Sequence, residues 1–352
     1  MQYYSGCEEL YFAFKELEEI LGGKIDMTIA ITGATGFIGN CLVSNLKNKS
    51  DEYVCLVRKE SDTTELEKNT GIKIIRTDFS PEEITKILSE VDVLVYLIGQ
   101  MGEYGVSDDV FYEVNYKLTK QFLEVCLAVK LKQFIYVSTP GVQGFGNRYA
   151  IEDLPYAPRN IYEKTKMDAE QLIIRMLKDT SVFYTIIRPD FVYGPGDYRR
   201  IKLYKNIRDH KFVLTTSGKS HVHPTYVLDV AQGILCAIDN KNAYNEVFNI
   251  SADEDIEVRE YLAIIGDYFH VKILKINIGY YLSIFFAGLI EFICERIFKK
   301  SAFVTKNKID FLAIDHSTSC KKAKDKIGYA PAYSFQNGFK ETMKWCEEKN
   351  LI

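Results

Sequence analysis

Among 352 residues there are one tryptophan, eight prolines and five histidines, and no two of the eight cysteines stand at C-x-x-C spacing. The missing cysteine pairs exclude a zinc ribbon or a dithiol redox site. Cys7, Cys41, Cys55, Cys126, Cys236, Cys294, Cys320 and Cys346 are scattered, several within apolar periodic segments, and read as reduced thiols of a cytoplasmic protein. Basic charge is not in excess. Lys and Arg number 44 against 48 Asp and Glu, a net charge of −4 that leaves no electrostatic footprint for nucleic acid. A membrane-spanning run of ~20 apolar residues is also absent. The uncharged stretch Ile276–Ile290 stops after fifteen residues, at Glu291. It is expected to be a buried helix of a second lobe, with a lipid-facing helix or the wall of an apolar substrate pocket as the alternatives. Residues 1–26 have no basic n-region, and their glutamates interrupt any signal-peptide core. Leu10, Phe14, Leu17 and Leu21 recur there at helical spacing, which predicts an amphipathic extension ahead of a functional start at Met27.

What is present is an ordinary globular balance, 47% apolar and 26% charged residues. Strand-like runs at 28–32, 53–57, 72–76, 91–98, 133–138, 183–188 and 246–250 alternate with helix-period segments at 37–47, 81–89, 109–130, 160–178 and 226–239. Such alternation predicts an α/β fold, a doubly wound parallel sheet of Rossmann type. Residues 27–195 and 225–250 are assigned to this dinucleotide-binding unit. Residues 196–224 and 251–352 are assigned to a smaller C-terminal substrate lobe over the edge of the sheet where ligands bind in open α/β folds.

The first strand, 28–32, runs into Thr32-Gly33-Ala34-Thr35-Gly36-Phe37-Ile38-Gly39 and then into a helix. In that context Gly33 permits a tight turn, Gly36 lets backbone approach a pyrophosphate, and Gly39 allows the helix to pack closely on the strand. Phosphates then meet the free N–H groups at a helix N-terminus. The second strand ends Leu56-Val57-Arg58-Lys59, where NAD enzymes carry an acid for the ribose 2′-hydroxyl. Two cations suit a 2′-phosphate instead, with Arg58 able to engage it bidentately, so NADP(H) is expected ahead of NAD.

Further on, Tyr162 and Lys166 lie four apart on one helix face. A phenol with a pKa near 10 is a poor base, and a neighbouring ammonium lowers it. His221 and His223 alternate on an extended segment, which raises a metal pair. No third ligand sits nearby in sequence, and a pocket-lining or structural role is expected, with no metal.

Taken in chain order, these motifs resemble the extended short-chain dehydrogenases/reductases, the NAD-dependent epimerase/dehydratase group, from about residue 28 to the C-terminus. The resemblance is carried by Thr32–Gly39, Asp78, Val114-Asn115-Tyr116, Val137-Ser138-Thr139, Tyr162 with Lys166, Arg188-Pro189, Tyr193-Gly194-Pro195-Gly196 and Ile327-Gly328-Tyr329-Ala330-Pro331. It implies that Tyr162 exchanges the proton of a substrate hydroxyl opposite the nicotinamide. It also implies that Lys166 holds the nicotinamide ribose and depresses the Tyr162 pKa. Counting back from Val142-Gln143-Gly144 selects Thr139 over Ser138 as the second hydroxyl, Ser138 otherwise bonding its own backbone. Asn115 joins the catalytic set. Asp78 would bond the adenine amine, or else be a solvated strand-end acid. Thr35, Phe37, Ile38, Phe79, Leu97, Ile98, Gly99 and Pro189 complete the implied cofactor contacts. A homodimer through the helices near 109–130 and 160–178 is also implied.

Departures from the family narrow the chemistry. Pro140 and Gly141 stand where dehydratases carry Asp-Glu, which argues against water elimination. Val222 falls where sugar epimerases place a diphosphate-binding arginine, although Arg199, Arg200 or Lys219 could substitute. The stretch 276–290 and Phe303-Val304-Thr305-Lys306 resemble the 3β-hydroxysteroid dehydrogenase and dihydroflavonol reductase branch. The expected function is an NAD(P)-dependent oxidoreductase interconverting a secondary alcohol and a ketone, on an apolar hydroxy/keto compound or a nucleotide sugar. A nucleotide-sugar 4-epimerase with tightly held NAD is the alternative. A non-catalytic NAD(P)-binding sensor or scaffold is a third reading, disfavoured by the intact Tyr162/Lys166 spacing.

Overall fold

The computed structural model describes residues 27–46, 51–69, 71–102, 105–300 and 302–352. The N-terminal extension expected over residues 1–26 lies outside them. From Thr28 onward the chain alternates strand and helix: β1 (Thr28–Thr32), α1 (Phe37–Ser44), β2 (Glu52–Arg58), β3 (Ile72–Thr77), α2 (Pro81–Leu88) and β4 (Val93–Tyr96). Next come α3 (Asp108–Tyr112), a π-helical turn (Glu113–Lys117), α4 (Leu118–Val129), β5 (Gln133–Val137), α5 (Ile161–Leu177), β6 (Phe183–Pro189), α6 (Val227–Ala237) and β7 (Glu246–Ile250). The strands form one seven-stranded sheet in the order β7-β6-β5-β4-β1-β2-β3. Every neighbouring pair is parallel, with Ile31 registered on Cys55 of β2 and on Val95 of β4.

Period-2 side-chain alternation sorts these strands onto two buried faces. Ile29 and Ile31 pack with Leu42, Val43, Val230 and Ile234 on one side. Ala30 and Leu94 pack with Phe122, Phe134, Leu172 and Ile173 on the other. Because both faces are covered, the strands read as continuous apolar runs. The order reverses between β1 and β4, so a crevice opens beyond Thr32 and Tyr96, where doubly wound sheets bind their ligands.

A third apolar cluster, including Tyr204, Val222, Leu262, Phe335 and Phe339, sits beyond the main sheet. Cys320, Ala323, Ile327 and Tyr329 return to the cluster under β1. Two details differ from the sequence expectation. The helix read over 109–130 is broken by the π turn, which brings Asn115 inward to full burial. The stretch read as a buried helix at 276–290 is helical as α7 (Tyr280–Arg296), but only Ser283 and Ala287 on it are buried. Phe285, Phe286 and Leu289 face outward, because α7 packs along a narrow strip against the Thr215 backbone and α8 (Lys306–Ala313).

Candidate active site

The glycine turn is built by close approach. Gly33 has φ of +69°, and a Cβ there would stand 2.8 Å from the Leu97 carbonyl carbon at the end of β4. At Gly39 a Cβ would overlap the Gly33 carbonyl oxygen and stand 2.8 Å from Ala34 Cα, so α1 can sit this close only with hydrogen at that position. Gly36 is the N-cap of α1, and neither it nor an acid in the first turn engages the helix N-terminus. Thr35 is exposed, while Phe37 and Ile38 are half-buried beside it. These are the features of a cradle for an anionic pyrophosphate. Leu97 and Ile98 face Gly33 from β4, and Gly99 continues the crevice towards Lys166.

At the far end of the crevice Lys59 and Asp78 form an exposed 3.1 Å ion pair. Asp78 also accepts from Ser80 N at 2.8 Å, and this backbone bond, with Lys59, holds its carboxyl well below the usual range. Of the two cations expected for a 2′-phosphate, both exposed, Lys59 pairs with Asp78, and Arg58 has no ion pair among the described residues. Arg76 fixes the loop after β2 by donating to the carbonyls of Lys59 and Ser61, both at 2.9 Å. Phe79, at φ of +61°, turns its ring onto Phe122.

Near the opposite end Asn115, Gly99 and Lys166 converge. A Cβ at Gly99 would lie 3.6 Å from Asn115 Oδ1 and 3.8 Å from Lys166 Nζ. Asn115 is locked: it accepts from Gln100 N at 2.6 Å and donates to Gln100 O and Thr165 Oγ1 at 3.1 and 2.9 Å. Lys166 Nζ donates to Val137 O at 2.7 Å and stands 3.9 Å from the Tyr136 ring centroid. Burial pushes the Lys166 ammonium down to about 7, opposed by the Glu170 carboxylate. Tyr162 moves the other way. Burial raises its phenol to about 12, with Arg199 the group that opposes the rise. The expected depression of the Tyr162 pKa by Lys166 is thus not found in the chain without cofactor, because desolvation outweighs charge and the lysine is turned to Val137.

The two candidate hydroxyls exchange their expected surroundings. Thr139 Oγ1 accepts from Gly141 N at 3.2 Å, whereas Ser138 Oγ is buried with no partner among the described residues. Thr139 lines a cleft of about 190 Å³ together with Pro189, Phe145, Phe191, Phe311 and His316. Glu163, the residue after Tyr162, closes one wall. It accepts from Arg159 N at 2.7 Å and fills the space over Gly141 that a side chain there would need. His223 is buried and His316 half-buried, and both are pushed down to about 4 by desolvation, hence neutral. His221 instead pairs with Asp315 at 3.0 Å, so the two histidines of the alternating pair have separate surroundings. Val222 is fully buried in the third apolar cluster, and Arg200 is held by Asp197 and by stacking 3.9 Å over Phe191. Arg199 lies across the crevice, 5.5 Å over the Phe37 ring of the glycine turn.

One feature of the site escaped sequence reasoning. Arg188 makes a buried two-point contact with Glu170, at 2.6 and 3.0 Å, and Tyr156 donates to the same carboxylate at 2.9 Å. This pair ties α5, which carries Tyr162 and Lys166, to β6, which ends at Pro189. The Arg188-Pro189 motif and a charge directly after the apolar Ile186 and Ile187 were its sequence signals, and neither points to Glu170.

Comparison with known proteins agrees with this geometry. The model of the NAD dependent epimerase/dehydratase family matches residues 29–251. The UDP-glucose 4-epimerase of Vibrio cholerae is 25% identical over 336 residues, 91% of this chain and 95% of that protein. The 2-alkyl-3-oxoalkanoate reductase of Stenotrophomonas maltophilia is 25% identical over 339 residues, 89% of this chain and 98% of that one. In fold, the chain is similar to UDP-glucuronic acid 4-epimerase from Bacillus cereus, solved with UDP-glucuronic acid and NAD, at a TM-score of 0.73 and 24% identity over 92% of this chain and 100% of that one. With the glycine cradle, the doubly wound sheet and the family match over the same residues, the chain belongs to the NAD dependent epimerase/dehydratase family and is an enzyme of its NAD-dependent oxidoreductase and epimerase class.

Proposed function

We propose that the chain interconverts a secondary alcohol and a ketone on an apolar substrate, with NADP(H) preferred over NAD. The observation that carries this reading is the wall of the cleft above Thr139. Phe145, Phe191 and Phe311 line it together with the acids Glu163 and Asp190, and no Lys or Arg among the described residues does. A nucleotide diphosphate would present two charged phosphates to that wall, and desolvating them without a cation is costly. The nicotinamide, when bound, supplies the hydride acceptor or donor. The chain's own residues do the rest. Tyr162 Oη holds and exchanges the proton of the substrate oxygen, and Thr139 Oγ1 is the second hydroxyl at that oxygen. Lys166, which donates to Val137 O, would hold the ribose of a bound cofactor, and in its charged form it would stabilise phenolate. Asn115 holds the π turn and the Gln100 backbone in place behind it. Arg58 supports the cofactor preference, as an exposed guanidinium at the end of β2 with no ion pair among the described residues.

The test has two parts. NADPH oxidation is measured against a panel of aliphatic and alicyclic ketones and against nucleotide-4-keto sugars. Turnover of the former that Tyr162→Phe abolishes supports the reading, and turnover confined to the sugars overturns it. Binding of NADP⁺ is then compared with that of NAD⁺. Arg58→Ala should weaken NADP⁺ alone by tenfold or more, roughly the worth of one charge-assisted phosphate contact. Equal Kd values for the two cofactors in the unaltered chain would sink the preference. The 4-epimerase alternative is favoured by the likeness to UDP-glucose 4-epimerase, and co-purified oxidised NAD without NADPH turnover would establish it.

A further inference from the structure

We propose that α7 is a docking surface for a lipid bilayer carrying anionic headgroups, with the helix lying in the plane of the interface. Eleven of the seventeen large apolar residues exposed among the described residues fall between Leu274 and Phe298. Tyr281, Leu282, Phe285, Phe286, Leu289 and Ile290 are 40–85% exposed. At 100° per residue these six cover about half the helix circumference. The opposite side holds the helix to the protein, through Ser283 Oγ donating to Thr215 O at 3.1 Å and through buried Ala287. No helix among the described residues is long and apolar enough to cross a membrane, so the face can enter only the interfacial layer.

Charge identifies the occupant. From Lys272 to Lys308 there are seven Lys and Arg against two Glu, in a chain whose net charge is −4. Lys272, Lys275, Arg296, Lys299, Lys300, Lys306 and Lys308 are all exposed, on α7, on α8 and in the segments flanking α7. A second copy of this chain would bring two such positive rims together. An anionic headgroup layer instead neutralises the rim while its acyl boundary takes the aromatic and aliphatic side chains. The surface also adjoins the cleft. Tyr280 at the start of α7 donates to Asp310 at 2.8 Å, and Phe311, the next residue of α8, lines the cleft wall. Docking requires neither cofactor nor turnover, and its test is separate from that of the reaction.

The experiment is co-sedimentation of the full chain with vesicles of phosphatidylcholine alone and of phosphatidylcholine with phosphatidylglycerol in equal parts. Binding to the anionic vesicles is expected, with affinity for the neutral ones about tenfold weaker or more, since each basic residue near a charged surface adds to the attraction. Phe285→Glu with Leu289→Glu, both exposed positions, should reduce anionic-vesicle binding at least tenfold while the thermal midpoint stays within a few degrees. Lys299→Glu with Lys300→Glu should remove the lipid selectivity. A chain that stays in the supernatant with both vesicles overturns the proposal. So does binding that the Phe285/Leu289 variant leaves unchanged. Light scattering after gel filtration gives a further refuting outcome: a dimer that this variant converts to monomer would show that a second copy covers the face.

Discussion

Replacing Lys166 by methionine should remove the proposed catalytic partner and stabilise the cofactor-free fold. Lys166 is 3% exposed, and burial lowers its pKa from 10.5 to about 7. An amine whose pKa falls on folding binds fewer protons in the folded than in the unfolded chain between those two values. Stability therefore rises with pH across that window, and the full cost is borne below it. At pH 7 that cost is about 4 kcal/mol. Methionine has nearly the same length and no charge to desolvate. Its substitution forfeits the bond to Val137 O, which costs about 1 kcal/mol, so the net gain is about 3 kcal/mol. For a chain of this size that corresponds to roughly 5 °C in Tm. The gap should shrink by about 2 kcal/mol between pH 7 and 8.5, as the wild-type amine deprotonates more cheaply in the unfolded state. Urea unfolding of the stripped apoprotein at the two pH values measures both numbers. A Lys166→Met midpoint at or below wild type at pH 7, or a gap independent of pH, would refute the reasoning.

Two further substitutions probe the framework of the site. Arg188→Met leaves the buried Glu170 carboxylate with Tyr156 alone and should cost 3–5 kcal/mol, roughly what breaking a buried ion pair costs, read from the urea midpoint. A loss under ~1 kcal/mol would mean that the pair does not fix α5 to β6. Gly39→Ala puts a methyl into the Gly33 carbonyl, and backbone lies on both sides of the collision. It should destabilise by about 1–3 kcal/mol and weaken dinucleotide binding at least tenfold by calorimetry. Unchanged binding would show that the site tolerates a wider gap between α1 and the turn after β1.

Local chemistry carries a long way here. Strand runs buried on both faces, a glycine turn whose spacing suits close helix approach, and Tyr162 four residues before Lys166 are each dictated within a few neighbouring residues. The sequence accordingly determined the parallel sheet, the glycine turn that caps α1, and the placing of Tyr162 and Lys166 on one helix, α5. Three matters required distant partners. The Arg188–Glu170 pair joins residues eighteen apart on different elements, and neither side chain alone shows that the other is buried beside it. The proton affinities of Tyr162 and Lys166 follow from how much water the tertiary fold removes, not from their four-residue spacing. Whether the apolar residues of 280–296 face core or solvent depends on what packs against the helix. Hydropathy shows only that burial would be favourable, and in this chain the tertiary structure leaves that face uncovered.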